Sequence, residues 1–170
     1  MEKLKAVKLL LLDVDGVLTA GDILYTDSGS EIKIFSVKDG LGLRLLMAAG
    51  ISVGLVTGRS SPALLRRCED LGITLIYDGI KDKAAALEQI CASTGIAPQH
   101  TAFVGDDLPD LPIMDRTGAS FAVSNAHAIV RQRADFVTAA AGGCGAVREV
   151  CEKILTAQGL WDEIVERFSQ

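Results

Sequence analysis

The sequence predicts an α/β fold: a Rossmann-like parallel sheet with helices on both faces, a β-hairpin inserted after the first strand, and no cap domain. Three observations carry this. Short apolar runs alternate with amphipathic stretches along the chain. The runs are apolar throughout rather than every second residue, as in strands buried on both faces. A chain of 170 residues has room for one domain, 1–170, with a real core and not for two.

Each element has a local reason. Val7 to Leu12, with four consecutive leucines, is the expected first strand. Residues 21–37 then break the alternation. Two β-prone runs, Ile23 to Thr26 and Ile32 to Phe35, flank Asp27-Ser28-Gly29-Ser30, a turn signal. The resulting hairpin would stand at the carboxyl end of the sheet, where such folds bind ligands. A helix is expected over Leu41 to Ala49, ended by Gly50, and a strand over Ser52 to Val56. Pro62 to Leu71 reads as a helix with proline in its first turn, Ser60 or Ser61 as cap and Gly72 at its end. Thr74 to Tyr77, Thr101 to Val104, Ser120 to Val123 and Phe136 to Val137 read as further strands. Lys83 to Ser93, Leu108 to Met114 and Gly145 to Gln158 read as helices, followed by a tail over 160–170.

Composition narrows the function. Hydrophobic residues at 49% against 23% charged argue for a globular protein. Seventeen basic against 22 acidic residues leave a net charge of -5, with no basic block to suit nucleic acid or an anionic membrane. Charge-free stretches such as Leu45 to Gly58 are too short and too polar to span a bilayer. Lysines precede Leu9 to Leu12, but Asp13 and Asp15 end the apolar run and no small-residue cleavage site follows, so a cytoplasmic protein is expected. Cys68, Cys91, Cys144 and Cys151 are scattered without metal-site spacing and read as unpaired thiols. His100 and His127 lack partners at diagnostic spacing and read as structural.

Four constellations fall at predicted strand ends. Asp13-Val14-Asp15-Gly16 closes the first strand; two carboxylates so close need a cation or a shared proton, unless both are simply solvated in a turn. Thr57-Gly58-Arg59-Ser60 follows the second sheet strand, where a hydroxyl, a glycine and a helix start suit either an oxyanion or an ordinary cap. Lys81 and Lys83 precede or open an alanine-rich helix, and either could neutralise phosphate or lie on the surface. Gly105-Asp106-Asp107-Leu108-Pro109-Asp110 puts three carboxylates in five positions, hard ligands for Mg²⁺ and more than a helix cap requires.

Their order makes the pattern specific. It resembles the haloacid dehalogenase superfamily of aspartate-nucleophile phosphatases over Asp13 to Asp110. The inserted hairpin, Thr57-Gly58-Arg59-Ser60, the loop Gly142 to Glu149 and Ala157-Gln158-Gly159 extend the resemblance to the capless 3-deoxy-D-manno-octulosonate 8-phosphate phosphatase family over nearly the whole chain. Cys144 in the glycine loop and the tail after Gly159 depart from it.

The resemblance implies Asp13 as nucleophile, Asp15 as general acid/base, and Thr57 and Lys83 as stabilisers of the transferring phosphoryl group. It implies Mg²⁺ held by the Asp13 and Asp106 side chains and the Asp15 carbonyl, with Asp107 and Asp110 behind them. Arg59, with Gly58 and Thr57, and also Arg67 and Arg148, are expected to bind substrate, whose carboxylate calls for cations. A homotetramer acting on a sugar acid phosphate for lipopolysaccharide synthesis is implied. The alternatives are a phosphatase of a nine-carbon sugar acid phosphate, a receiver-like phosphoacceptor domain and a non-catalytic tetramerisation module.

Overall fold

The computed structural model describes residues 2–169. Eight helices and eight strands appear among them: α1 Glu2–Lys5, β1 Leu9–Leu12, β2 Leu24–Tyr25, β3 Glu31–Ile32, α2 Val37–Ala48, β4 Ser52–Val56, α3 Pro62–Leu71 and β5 Leu75–Tyr77. Then follow α4 Lys83–Thr94, β6 Thr101–Gly105, α5 Leu111–Met114, β7 Ala119–Ala122, α6 Ala128–Arg133, β8 Phe136–Val137, α7 Ala146–Ala157 and α8 Trp161–Arg167. Six strands form one parallel sheet in the order β5-β4-β1-β6-β7-β8, and β2 and β3 pair antiparallel outside it.

β1 lies at the centre, with Leu9 to Leu12 opposite Ser52 to Leu55 on one side and Thr101 to Val104 on the other. All four leucines are fully buried, so both faces of the sheet are covered. The chain moves outward on one side of β1 through β4 and β5, then crosses to β6, β7 and β8 on the other. Right-handed crossovers therefore put α2 and α3 on one face and α4, α5 and α6 on the opposite face. In keeping with this, α2 packs on α3 and α7, and α4 packs on α5. The strand order reverses at β1, which opens a crevice at the carboxyl ends of β1, β4 and β6.

Four details differ from expectation. The helix expected from Leu41 begins at Val37, where Ser36 accepts the Asp39 amide (3.4 Å). Gly40 and Gly42 argue locally against helix, but a Cβ at Gly40 would lie 2.3 Å from Arg67 Nη2, and one at Gly42 would lie 3.1 Å from Arg148 Cα. The glycines let α2 approach its neighbours, and that packing outweighs propensity. The early helix start shortens the hairpin, whose strands have two residues each, and leaves Ile34 and Phe35 outside β3. Phe35 instead packs against the core, with the Arg67 guanidinium 5.9 Å from its ring centre. Residues 108–114 form a 3₁₀ turn and then the short α5 rather than one helix, in a segment containing Pro109 and Pro112. Helices α1, α6 and α8 are additional; α6 is capped by His127, whose Nδ1 faces the Ile129 amide at 3.3 Å.

Candidate active site

A cleft of about 330 Å³ opens at the carboxyl edge of the sheet, lined by Asp13, Asp15, Thr57, Gly58, Arg59, Lys81, Lys83, Asp106, Asp107 and Asp110 among others. Asp13 follows β1 directly, and its amide still bonds the Val104 carbonyl of β6 (3.0 Å), so it inherits the position of the central strand. Beyond it the chain turns sharply: the Leu18 and Thr19 amides both bond the Val14 carbonyl. Buried Thr19 draws in the amides of Gly16 (3.4 Å) and Gly21 (3.2 Å) through its hydroxyl.

Gly16 is required here for two reasons. Its φ is +98°, and a Cβ on it would lie 2.1 Å from Asp106 Oδ2. The bare backbone lets the carboxylate of the second acidic loop rest on the first. The Gly142–Gly145 loop supports this turn from behind. The Gly143 amide bonds the Val17 carbonyl (2.9 Å), and a Cβ at Gly142 would lie 1.7 Å from the Gly16 carbonyl oxygen. Asp39, almost fully buried, accepts the Arg148 amide (2.8 Å) at the start of α7 and so ties α2 to the glycine loop. Burial raises the Asp39 pKa, against the pull of the Arg148, Gly145 and Val147 amides.

Lys83, only 6% exposed, donates to Asp13 Oδ1 and to Asp110 Oδ1, both at 2.6 Å. The contact with these acids thus falls to Lys83 and not to Lys81. Asp82 caps α4 by accepting the Ala84 and Ala85 amides (3.0 Å each), which turns Lys83 toward the sheet and leaves Lys81 exposed on the cleft wall. Burial works to lower the Lys83 pKa, but the Asp13 and Asp110 charges outweigh it and hold the ammonium protonated. Asp110 turns its other oxygen to the amides of Asp106 (2.8 Å) and Asp107 (3.3 Å). It is therefore a bracket between Lys83 and the acidic loop. Asp107 caps the following turn through the Leu108 amide (2.8 Å).

Asp13, Asp106 and Asp110 bring carboxylate oxygens within 4.8 Å of one another, close enough to share a metal ion. With both Asp110 oxygens engaged, Asp13 and Asp106 are the ones with coordination capacity left. Among the described residues nothing donates to the Asp15 carbonyl either. Carboxylates are hard oxygen ligands that fit Mg²⁺, and a free main-chain carbonyl is a ligand of the same kind. Burial first, then the charges of Asp13, Asp110 and Asp107, push Asp106 up to about 8. Burial and Asp110 push Asp13 up to about 6 against the pull of Lys83. A cluster that resists ionisation in this way is one that a divalent cation would neutralise.

Thr57 continues β4 and is buried, its amide on the Tyr77 carbonyl (2.9 Å) and its carbonyl on the Ile80 amide (3.0 Å). Arg59 stands on the cleft wall beside Asp15, Nε to Oδ2 3.6 Å. Arg67 and Arg148 do not line the cleft. Arg67 donates to the Ser36 carbonyl (3.2 Å) over Phe35, while Arg148 pairs with Glu152 and lies 5.4 Å from the Trp161 ring centre, which holds the tail. Within this chain neither arginine reaches the cleft.

Sequence reasoning missed Tyr25, Glu31 and Lys33 on the hairpin. Glu31 Oε1 meets Arg59 Nη2 (2.8 Å) and Lys33 Nζ (3.4 Å), Tyr25 receives a bond from Arg59 (3.4 Å), and Lys33 forms an ion pair with Asp15. Burial works to raise Glu31, but donors such as Arg59 and Lys33 outweigh it and lower its pKa. The signal was present: Glu31-Ile32-Lys33-Ile34 alternates charge and hydrocarbon, so that one face is polar.

Comparison with known proteins bears on this arrangement. Residues 75–149 match the haloacid dehalogenase-like hydrolase family. The 3-deoxy-D-manno-octulosonate 8-phosphate phosphatase KdsC of Escherichia coli is 47% identical over 163 residues, 96% of this chain and 87% of the relative. The chain belongs to this phosphatase family. Solved structures of the family superpose closely on it. The Moraxella catarrhalis 3-deoxy-D-manno-octulosonate 8-phosphate phosphatase, in complex with a magnesium ion, a phosphate ion and a KDO molecule, is 44% identical with a TM-score of 0.96, covering 98% of this chain and 96% of that one. The cobalt-bound family phosphatase of Haemophilus influenzae, also 44% identical, has a TM-score of 0.91 over 94% of this chain and 93% of its own. In this family member the strand-end acids sit on one continuous sheet edge, and no cap domain appears among the described residues.

Proposed function

We propose that the protein is a Mg²⁺-dependent phosphatase that hydrolyses 3-deoxy-D-manno-octulosonate 8-phosphate to the free sugar acid and phosphate, in the cytoplasm, for lipopolysaccharide synthesis. The observation that carries the reading is the convergence of Asp13, Asp15, Thr57, Lys83 and Asp106 in one cleft, with Lys83 Nζ 2.6 Å from Asp13. Four free thiols, two of them buried, suit a reducing compartment.

Asp13 attacks phosphorus in line with the sugar oxygen, whose departing electron pair takes a proton from Asp15. Mg²⁺, held by Asp13, Asp106 and the Asp15 carbonyl, would supply the positive charge that lets a phosphate dianion approach carboxylates. Thr57 and Lys83 hold the equatorial phosphoryl oxygens, and Asp110 fixes Lys83 for that task. Asp15 then takes a proton from the water that cleaves the aspartyl-phosphate and restores Asp13. Arg59 offers its planar fork to the substrate carboxylate.

The protein works as a homotetramer in this reading. Ile23, Leu24, Ile32, Ile34 and Val37 are all exposed around the hairpin, an apolar surface that cyclic pairing of four copies would bury. Light scattering reads the assembly directly, and a fully active monomer would overturn it.

Phosphate release from the eight-carbon acid, a nine-carbon acid and simple sugar phosphates, with and without EDTA, tests the activity. Preference for the eight-carbon acid, lost in EDTA and restored by Mg²⁺, is expected. Equal rates on simple sugar phosphates would remove the substrate assignment, and activity untouched by EDTA would remove the metal.

A further inference from the structure

The hairpin turns its charged face toward Asp15 and Arg59 of the cleft wall and its apolar face to solvent, the reverse of an ordinary surface hairpin. Ile32 and Ile34 are 45% and 70% exposed, whereas the Lys33 side chain between them is 3% exposed. Burying an ammonium is costly unless it is paired and hydrogen-bonded. Lys33 meets that requirement with Asp15 Oδ1 and, at 3.4 Å, with Glu31. Glu31 is in turn held by Arg59 at 2.8 Å. Among the described residues, Lys33 is the one group that donates a hydrogen bond to the Asp15 carboxylate. The other oxygen, Oδ2, is buried without a hydrogen-bond partner and faces Arg59 Nε at 3.6 Å. Asp15 lies on a turn rather than in the sheet, so its backbone alone does not fix where its carboxylate points.

We propose that Lys33 is a positioning residue for Asp15: the hairpin carries this lysine up to Asp15 on the cleft wall to hold the carboxylate where it can take the proton of the attacking water. The inference rests on the acid/base reading of Asp15. In the step concerned, a water oxygen bonds to phosphorus and the bond from phosphorus to Asp13 breaks. Its electron pair returns to the Asp13 carboxylate, and the water proton passes to Asp15. Lys33 does not itself line the cleft and acts in this step through Asp15 Oδ1. The hairpin is thereby part of the catalytic machinery as well as a surface for self-association.

Lys33→Met, Asp15→Asn and the double variant, purified with Mg²⁺ and checked for assembly and thermal stability, test this with 4-nitrophenyl phosphate. Nitrophenolate leaves without needing a proton, so the first chemical step is spared and the hydrolysis of the aspartyl-phosphate becomes limiting. Misplacing a catalytic group by about 1 Å can cost roughly 100-fold. Lys33→Met is therefore expected to give a burst of about one nitrophenolate per site, then turnover lowered to that extent, with KM little changed. In the Asp15→Asn background, removing Lys33 should cost nothing further, because residues acting as one unit are not additive. Lys33→Arg should recover part of the rate. Unchanged kcat in Lys33→Met beside an impaired Asp15→Asn enzyme overturns the proposal alone. So does a second full loss in the double variant, or a rise confined to KM. An Asp15→Asn enzyme with wild-type turnover overturns the acid/base reading and this proposal with it.

Discussion

Asp13 and Asp15 are two residues apart, yet different parts of the molecule hold their carboxylates. Asp13 extends the central strand, and its partner Lys83 opens a twelve-residue helix and is itself gripped by Asp110. Every member of that group is buried. Asp15 is held by Lys33, with Glu31 and Arg59 behind it, and half of that group rides on a hairpin with two residues per strand. So short a hairpin is not stable alone. The position of the Asp13 carboxylate is therefore secured by the core of this chain. That of the Asp15 carboxylate depends on the hairpin.

That difference can be broken from either side. The largest effect is expected from Lys83→Met, which leaves Asp13 and Asp110 buried without their shared cation. Breaking a buried pair in this way costs about 3 kcal/mol, and it also removes a phosphoryl-stabilising charge worth about 10²-fold or more in kcat. The stability loss should shrink on going from pH 8 to pH 5, where the unpaired Asp13 carboxylate, already raised to about 6 by burial, takes up a proton. A thermal shift equal at both values would mean that the pair is not what holds the cluster. Next comes Ile34→Lys on the hairpin. Sedimentation should show species smaller than the wild type, and kcat should fall roughly 10-fold or more as Asp15 loses its support; a variant that dissociates with full activity would separate the hairpin from the chemistry.

The pH response of the metal-free protein sharpens the picture of the strand-end acids. Asp106 at about 8 and Asp13 at about 6 lie above their unfolded values, so the folded chain binds more protons than the unfolded one between roughly pH 4 and 8. In EDTA, stability should therefore fall as the pH rises from 5 to 8. Mg²⁺ at a hundredfold excess over its Kd adds about 2.7 kcal/mol and should flatten that slope; scanning calorimetry in both buffers makes the check. The smallest effect is expected from Arg148→Met. Its side chain serves Glu152 and Trp161, so the variant should change KM less than about twofold, within the range of ordinary surface substitutions, while lowering the melting temperature slightly. A large rise in KM would show that Arg148 reaches a substrate after all.

The sequence by itself determined the six sheet strands, the helices that follow four of them, and the acids and threonine at their carboxyl ends. These were legible because the burial of a parallel strand writes an unbroken apolar run, and because strand-to-helix turns concentrate Gly, Asp, Ser and Thr. Tertiary structure alone decided the rest. It gave the contact with Asp13 to Lys83 rather than Lys81, because which lysine reaches the carboxylate depends on the Asp82 cap and the approach of α4 to the sheet. It set Arg67 and Arg148 against α2 and away from the cleft of their own chain, because α2 came close enough, through Gly40 and Gly42, to meet them. It also brought Lys33 to Asp15, eighteen residues away in sequence. Alternation on the hairpin marked a polar face, but no local rule says which carboxylate a buried ammonium will meet. That partner is fixed by where the folded backbone leaves both charges out of water.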